Sequence, residues 1–258
     1  MTWVVGEEVA RGATAVITRG EPGTVVKTLT RELPPIVMEL EAAGTRAAMA
    51  AALPCAALLA ADLEGDRPSL TFEFVEGRML AHLYDELGPA AVGVTLADLQ
   101  HQVRAVTNAA VTPIEDFLGY QLDQPGIPEN LRAAARRDLV RLTAHSDRVL
   151  CHMDLHDANV ILSPGGPVII DWMNASGAPP EADVARTRIV VGHEKFNSPH
   201  EEDVLAEMLD AYLRRTEELV PGLVGASREW DRVLAAARLD ENPGEAERAA
   251  ILARWGRG

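Results

Sequence analysis

A loop at residues 152–159 and an aspartate after the next hairpin carry residue types that could activate a hydroxyl group beside a metal ion. The loop contains His152, Asp154 and Asn159 in the spacing His-x-Asp-x-x-x-x-Asn, and Asp171 follows the hairpin. A carboxylate can accept the proton of an attacking hydroxyl group. A carboxamide oxygen and a second carboxylate suit magnesium, a hard cation that prefers oxygen ligands. The pattern therefore predicts hydroxyl activation next to a bound Mg²⁺.

A β-hairpin positions this polar set. Two short apolar runs, 160–162 and 168–170, are separated by the turn-rich segment 163–167, which is typical of a hairpin. The loop precedes the first strand and Asp171 ends the second. This order and spacing are those of a kinase catalytic loop followed by its metal-binding Asp.

Two other interpretations of the loop remain open from the residues alone. It is also similar to the His/Asp cluster of a di-metal hydrolase, through His152, Asp154, His156 and Asp157. Such an enzyme needs further ligands on later loops, where His193 and His200 are available, although neither lies in a compact motif. The simplest alternative is a loop of ordinary polar residues.

Lys27 is one of only two lysines in the chain, and it lies inside the apolar strand predicted at 24–29. If it faces solvent from an edge strand, it has no special role. If it is buried, it can bind phosphates but needs a carboxylate partner. The helix predicted at about 35–52 offers Glu41 as the first choice and Glu39 as the second.

The first third of the chain otherwise predicts a small sheet that ends in a hinge. The last predicted strand runs through Glu73 and Val75 into Glu76 and Gly77, as expected of a connection between two lobes. Gly12 lies in the first hairpin, where it either admits a phosphate to backbone amides or only makes the turn. No Gly-x-x-x-x-Gly-Lys-[Ser/Thr] segment occurs, which excludes a P-loop. The other predicted strands are 3–5, 13–18, 56–60 and 70–75.

The order of these motifs resembles the aminoglycoside phosphotransferase family and the choline-kinase-like enzymes, small-molecule kinases that share the protein-kinase fold. The resemblance covers about residues 5–190. Two departures stand out: Met153 replaces the glycine that the family more often has before its catalytic Asp, and Trp172 with Met173 replaces Phe-Gly of protein kinases. The matching elements are the Gly12 loop, Lys27, Glu41, the hinge 72–77, the block 152–159 and Asp171.

The resemblance implies an α+β fold with two lobes, namely a small antiparallel-sheet N-lobe at residues 1–76 and a mainly helical C-lobe at 77–258. The implied cofactors are ATP and Mg²⁺. Asp154 is the expected catalytic base, and Asp183 the expected brace of its loop. The other implied roles are phosphate binding by Lys27 paired with Glu41, adenine binding by the backbone near Glu73 and Val75, nucleotide contact by the Gly12 loop, and magnesium binding by Asn159 and Asp171.

The second part of the chain is predicted to be mostly helical. Helices are expected at 79–87, 91–110, 128–144, 199–219, 228–239 and 243–255, with a helix opening near Glu181 and a loop at 112–129. Asp240 and Glu241 lie in a helix-breaking junction. They are the best candidates for a pocket that binds a cationic substrate.

Composition restricts the partners and the compartment. The formal net charge of -15 disfavours nucleic acid and anionic membranes and favours cations, although an acidic surface also serves solubility. The start of the chain lacks the pattern of a signal peptide, and no run reaches the ~18 apolar residues of a membrane span. We expect a cytoplasmic monomer or homodimer in which Cys55 and Cys151 are buried thiols.

These features predict transfer of the ATP γ-phosphoryl group to a hydroxyl of a small, cationic molecule such as an aminoglycoside-like antibiotic. The alternatives are a kinase of choline, homoserine, a fructosamine or a macrolide, and a non-catalytic nucleotide-binding module. The module is disfavoured because Lys27, Asp154, Asn159 and Asp171 are all present.

Overall fold

A computed structural model describes residues 3–12, 14–30, 34, 36–64, 67–144, 146–194, 202–241 and 243–256. Its first part is a five-stranded antiparallel sheet, with one helix packed against it. The strand order is β1-β2-β3-β5-β4. The elements are β1 (Glu8–Arg11), β2 (Ala15–Arg19), β3 (Thr24–Leu29), α1 (Ile36–Ala50), β4 (Leu58–Asp62) and β5 (Ser69–Glu73).

β3 is the central strand of this sheet, which decides the position of Lys27. The run Thr-Val-Val-Lys-Thr-Leu is rich in β-branched residues, which favour strands. Lys27 pairs with Ile17 of β2 on one side and with Leu70 of β5 on the other. Lys27 therefore does not lie on a solvent-facing edge. Met38, Ala42 and Leu70 form the small core between the sheet and α1.

The rest of the described chain is mainly helical. α3 and α7 pack against each other along much of their lengths, and two larger apolar clusters fill the space around them. The helices are α2 (Tyr84–Leu87), α3 (Pro89–Arg104), α4 (Ile114–Leu122), α5 (Glu129–Thr143), α6 (Pro180–Glu194), α7 (Glu202–Leu219), α8 (Leu223–Ser227), α9 (Asp231–Arg238) and α10 (Glu245–Trp255).

Two small sheets in this part carry the catalytic loop between them. The first has the order β10-β9-β6 and contains the predicted hairpin; the second has the order β7-β11-β8. The loop at 152–159 leaves the end of β8 and enters β9. The strands are β6 (Arg78–Met79), β7 (Thr112–Pro113), β8 (Val149–Cys151), β9 (Val160–Ser163), β10 (Gly166–Ile169) and β11 (Ser176–Ala178).

The prediction of a strand at 3–5 is wrong, since the first strand is Glu8–Arg11. Trp3 instead packs onto the sheet: its indole N–H donates to the Gly20 carbonyl at 2.9 Å, and its ring lies edge-on to Phe74. Arg19 stacks over the Trp3 ring, with 4.5 Å between the guanidinium carbon and the ring centroid. Ring packing rather than strand pairing therefore fixes this segment.

The prediction of a loop at 112–129 is also wrong, because α4 occupies the first half of this segment. Ile114, Leu118 and Leu122 recur at every fourth residue and are fully buried, which is the pattern of a helix face. Pro113 directly before the helix and acidic Glu115 in its first turn are also typical of a helix start. The prolines around the segment hid this periodicity.

Two other predicted helices are shorter than expected. The helix predicted at 91–110 ends at Arg104, because Val106 accepts a hydrogen bond from the Leu150 backbone at 2.8 Å and so joins the sheet. Residues 79–87 hold the end of β6, a 3-10 turn at Leu80–His82 and then α2.

The two cysteines are free thiols, with Cys151 fully buried and Cys55 half-buried. Burial raises the pKa of Cys55 to about 11. Among the described residues, no helix has both the length and the apolar character that a membrane crossing requires.

Candidate active site

Lys27 connects the five-stranded sheet to Asp171, which follows the β9–β10 hairpin. Its ammonium group donates to Glu41 Oε1 at 2.7 Å and to Asp171 Oδ1 at 3.1 Å. Lys27 is 6% exposed and Glu41 is 1% exposed, so the pair is shielded from water. The predicted pairing of Lys27 with Glu41 is therefore confirmed, and the second choice, Glu39, is exposed on α1.

The electrostatics of this triad favour a charged lysine. Burial lowers the pKa of Lys27, but the carboxylates of Asp171 and Glu41 outweigh it and hold that pKa above its ordinary value. Burial likewise raises the pKa of Asp171, but the Lys27 ammonium outweighs it and holds that pKa below its ordinary value. Burial raises the pKa of Glu41 to about 7, against the effect of Lys27. Glu41 is thus the carboxyl of the triad that most readily takes up a proton.

Gly44 lets α1 approach the segment after Asp171 closely. A Cβ atom at Gly44 would lie 2.5 Å from the Trp172 carbonyl oxygen and 2.7 Å from Ala175 Cβ, closer than real atoms approach. The helix therefore packs directly on the 3-10 turn Trp172–Asn174. This contact fixes the distance between Glu41 and Asp171, which share Lys27.

The catalytic loop brings Asn159 onto Asp154. The Asn159 carboxamide N–H donates to the Asp154 carbonyl at 2.8 Å and lies 3.5 Å from Asp154 Oδ2. The same nitrogen is 3.1 Å from His156 Nε2. With the nitrogen engaged by the loop, the carboxamide oxygen is the atom that Asn159 can offer a metal ion, as Mg²⁺ coordination requires.

Asp183 braces the backbone of this loop, as predicted. Its two carboxylate oxygens accept the N–H groups of Met153 at 2.8 Å and His152 at 3.3 Å. These bonds hold Met153 in a left-handed conformation with φ of 60°. That conformation costs an L-residue about 1–2 kcal/mol and suits glycine, which explains the family's usual residue at this position.

The His152 side chain is buried inside the protein and is not exposed at the site. It is fully buried, its Nε2 is 3.1 Å from the Ile170 carbonyl oxygen, and its ring packs on Trp172 with 4.7 Å between centroids. A carbonyl oxygen only accepts, so Nε2 carries the proton. This geometry disfavours His152 as a ligand of a di-metal hydrolase. His200 and the side chain of His193 lie outside the described residues.

The hinge and the Gly12 loop carry the remaining predicted residues. The Glu73 N–H donates to the Ala57 carbonyl at 2.9 Å, and its carboxylate accepts the Ala57 N–H at 3.0 Å. Any contact of Glu73 with a base therefore uses its carbonyl group, and Val75 follows where the chain has left β5. The Gly12 N–H donates to the Ala15 carbonyl at 2.9 Å, and a Cβ there would meet no atom closer than 3.8 Å. Gly12 thus makes a turn that does not require glycine.

The acidic junction before α10 reaches the catalytic loop through an arginine. Glu241 accepts hydrogen bonds from Arg186 at 2.9 Å and from Arg238 at 2.6 Å. Arg186 in turn donates to Asp154 Oδ1 at 3.3 Å. Asp240, next to Glu241, is only partly buried, and burial followed by the Glu241 charge raises its pKa.

Arg186 and Tyr84 belong to this site but were not found from the sequence. The Tyr84 hydroxyl donates to Asp157 Oδ2 at 2.8 Å and so anchors the loop from α2. Arg186 is three residues after Asp183, which places both on one face of α6. That spacing was the available signal for Arg186, whereas nothing in the sequence connects Tyr84 to Asp157.

The model of the phosphotransferase enzyme family matches residues 3–233, which is most of the chain. The chain belongs to the phosphotransferase enzyme family. This membership, with the kinase-like arrangement of sheet and helices, makes it a small-molecule kinase. No curated protein sequence matches the chain significantly.

Solved structures of this phosphotransferase family share the fold. An aminoglycoside-3'-phosphotransferase of type VIII is 22% identical, with a TM-score of 0.67 over 92% of this chain and 93% of that chain. An aminoglycoside phosphotransferase from Streptomyces rimosus, solved with ADP and streptomycin, is 16% identical, with a TM-score of 0.61 over 91% and 93%. A choline/ethanolamine kinase family protein from Mesorhizobium loti is 16% identical, with a TM-score of 0.57 over 96% and 84%. The predicted two-lobe kinase-like fold is thereby confirmed.

Proposed function

We propose that this phosphotransferase moves the γ-phosphoryl group of ATP to a hydroxyl of a small, cationic acceptor, with Asp154 as the catalytic base. The observation that carries the proposal is the contact of Lys27 with both Glu41 and Asp171, beside a loop in which Asn159 touches Asp154. A buried cation next to two oxygen donors is the arrangement that phosphoryl transfer needs.

Each predicted residue takes one role in this proposal. Asp154 accepts the acceptor's hydroxyl proton, and Lys27, held by Glu41, contacts the nucleotide phosphates. Asn159 and Asp171 hold Mg²⁺, since the Asp171 side chain is 33% exposed and both offer oxygen atoms. Bound Mg²⁺ neutralises the charge that develops on the phosphates. The backbone at Glu73 and Val75 binds adenine, Gly12 covers the phosphates, and the N-lobe of residues 1–76 meets the C-lobe of 77–258 at this hinge.

An aminoglycoside-like acceptor agrees with the charge of the chain. The net charge of -15 attracts polycations, and the partly buried Asp240 is next to Glu241, which is linked to Asp154 through Arg186. The Streptomyces rimosus protein was solved with streptomycin, an aminoglycoside. We therefore include antibiotic resistance and a cytoplasmic location in the proposal, with a monomer or homodimer as the working form.

The decisive variant is Asp154→Asn. Loss of a general base or a positioning carboxylate costs about 10²–10⁴-fold in kcat, while the nucleotide contacts lie mainly elsewhere. We expect ADP release to fall by that factor, with the nucleotide dissociation constant from direct titration unchanged. Activity close to that of the wild type in a purified, folded Asp154→Asn protein would refute the assignment of the base.

The acceptor itself requires a panel of hydroxylated compounds. Aminoglycosides, choline, homoserine, a fructosamine and a macrolide should be tested for ADP release that depends on the compound. The choline/ethanolamine kinase relative supports the inclusion of smaller amines. A chain that binds ATP but releases no ADP with any acceptor or with water would instead be a non-catalytic nucleotide-binding module.

Metal removal separates the kinase from the di-metal hydrolase. Among the described residues, no group of three or more His, Cys, Asp or Glu side chains is placed to hold a metal ion. We expect EDTA to abolish ADP release, added Mg²⁺ to restore it, and a zinc-selective chelator to leave it intact. Stoichiometric zinc in the purified protein, lost in His152→Ala and His156→Ala, would favour the hydrolase.

A further inference from the structure

Arg186 is a buried cation that contacts Asp154, the proposed catalytic base. It is 4% exposed and lies on α6, three residues after the brace Asp183. Its Nε donates to the Met153 carbonyl at 3.1 Å, and its Nη2 donates to Asp154 Oδ1 at 3.3 Å. One guanidinium therefore contacts both the strained backbone before Asp154 and the Asp154 carboxylate.

Glu241 holds Arg186 in this position. Its carboxylate accepts hydrogen bonds from Arg186 at 2.9 Å, from Arg238 at 2.6 Å and from Gln121 at 3.2 Å. Arg238 in turn donates to Glu247 of α10 at 2.7 Å. Burial raises the pKa of Glu241, but the two arginines outweigh it and hold that pKa below its ordinary value. The Glu241 charge is thus committed to arginines of this chain.

The two oxygens of Asp154 are held with different strength. Oδ1 faces Nη2 of Arg186, and the planar guanidinium is held by Glu241 through the same nitrogen and by the Met153 carbonyl through Nε. Oδ2 has more distant neighbours, the Asn159 nitrogen at 3.5 Å, the outer limit of a hydrogen bond, and His156 Nε2 at 3.9 Å. Arg186 therefore sets the rotation of the carboxylate, and Oδ2 is the oxygen that can accept a proton from a substrate.

We propose that Arg186 is a positioning residue that orients the Asp154 carboxylate, and that Glu241 acts on the reaction through Arg186 rather than by binding the acceptor. This inference rests on the proposed role of Asp154 as the base. It differs from the sequence interpretation, in which Glu241 lines the cationic-substrate pocket. The two assignments predict different kinetic constants: loss of orientation lowers kcat, whereas loss of an acceptor contact raises the acceptor KM.

The main test compares Arg186→Met and Arg186→Lys with Arg188→Met. Arg188 lies on the same helix and makes a largely buried ion pair with Asp231, with its own side chain 14% exposed, so its loss controls for damage to the packing of α6. We expect Arg186→Met to lower kcat about 10–100-fold, since small misplacements of reacting groups can cost about 10². Arg186→Lys should recover part of this loss, and Arg188→Met should stay within twofold of the wild type.

The same series needs further measurements. The nucleotide dissociation constant should stay within twofold in every variant, and Glu241→Gln should lower kcat while the acceptor KM stays near that of the wild type. In an Asp154→Asn background, Arg186→Met should cause no further loss, because Arg186 acts through Asp154. The acceptor is the best compound of the panel, and ATP hydrolysis by water is measured in parallel.

Several outcomes would overturn the inference. One is a kcat of Arg186→Met equal to that of the wild type, and another is an equal loss of kcat in Arg188→Met when both variants show the same fall in Tm. A further loss of kcat when Arg186→Met is added to Asp154→Asn would also overturn it. So would a Glu241→Gln protein in which only the acceptor KM changes. If Arg186→Met does not fold, Arg186→Lys and Glu241→Gln carry the same comparison.

Failure of the proposed function is recognised separately. If the wild type transfers phosphate to no acceptor and to no water, the proposed function fails. Crystal structures of the wild type and Arg186→Lys then still test the positioning role. A rotated Asp154 carboxylate in the variant supports it, and an unchanged one overturns it.

Discussion

Lys27 and Arg186 are both buried cations that contact carboxylates of the catalytic block, but their surroundings differ. Lys27 lies between Glu41 and Asp171, and the Asp171 side chain remains one-third exposed. Arg186 lies between Asp154 and Glu241, and Glu241 is shared with Arg238. The first arrangement keeps a partly exposed carboxylate beside the ammonium, where a metal ion and phosphates could bind together, whereas in the second Glu241 is occupied by two arginines of the chain itself. Under the proposed roles, buried charge around Lys27 thus serves nucleotide binding, and buried charge around Arg186 serves orientation of the base.

Of the variants that test this comparison, Lys27→Met should show the largest change in activity. Removal of one preorganised electrostatic contact in an active site costs about 10²–10³-fold, so we expect kcat/KM for the nucleotide to fall by that factor. The fold should tolerate the change, because burial already raises the pKa of Glu41, and loss of the ammonium raises that pKa further, so Glu41 can take up a proton. Steady-state kinetics and thermal unfolding measure the two effects.

The matched control for Lys27→Met is Glu39→Gln, an exposed acid on the same helix as Glu41. It should leave kcat/KM for the nucleotide within twofold of the wild type. An undisturbed kcat/KM in Lys27→Met would instead remove Lys27 from the phosphate site and weaken the contrast with Arg186.

Asp240→Asn should have a smaller effect, confined to the acceptor. Asp240 is only partly buried, so its contact with a cationic acceptor is partly screened and worth about 1 kcal/mol, or about fivefold in acceptor KM. Salt should weaken the attraction further: we expect the acceptor KM to rise from low to physiological ionic strength, and the nucleotide KM to change less. Initial rates at several salt concentrations measure both.

Glu21→Gln is the charge-matched control for Asp240→Asn, because Glu21 is exposed in the turn between β2 and β3. It removes the same charge far from the junction and should leave the acceptor KM unchanged. If the best acceptor of the panel is neutral or anionic, the electrostatic argument fails, and the acidic surface then serves solubility.

The smallest effect concerns His152, beneath the loop that joins the two sides. Burial lowers the pKa of His152, and within the described part of the chain its Nδ1 has no hydrogen-bond partner. As the pH falls, His152 is therefore protonated in the unfolded chain before it is protonated in the folded protein. Its contribution to the free energy of unfolding is fully present above the ordinary pKa of about 6.5 and decreases as the pH drops below that value. Each pKa unit by which the folded protein lowers the pKa of His152 corresponds to about 1.4 kcal/mol in the free energy of unfolding.

His152→Gln tests this dependence by urea unfolding at pH 7 and pH 5. The variant lacks a titrating group at this position, so its free energy of unfolding should fall less between the two values than that of the wild type. Equal slopes would show that His152 is protonated in the folded protein, which would require a rearranged loop.

The sequence alone predicted the Lys27–Glu41 pair and the loop and hairpin beside it, for a physical reason. Asp154, Asn159 and Asp171 lie on one loop and one hairpin, so short spacings fix their arrangement, and the need of a buried lysine for a carboxylate pointed from Lys27 to Glu41. The predicted pair is present, and Gly44 packing against Trp172 holds its helix in place.

Tertiary structure alone decided the surroundings of Glu241. A charged residue in a helix-breaking junction has the same local sequence whether it faces a substrate or an arginine of its own chain. Its partners, Arg186 and Gln121, are 55 and 120 residues away, and no local spacing encodes contacts over such distances. Helix α4, which supplies Gln121, was itself missed because prolines around it hid its period. Residues at short spacing can therefore be assigned from the sequence, but the ion pairs of Glu241 with arginines depend on the packing of α4, α6 and α9.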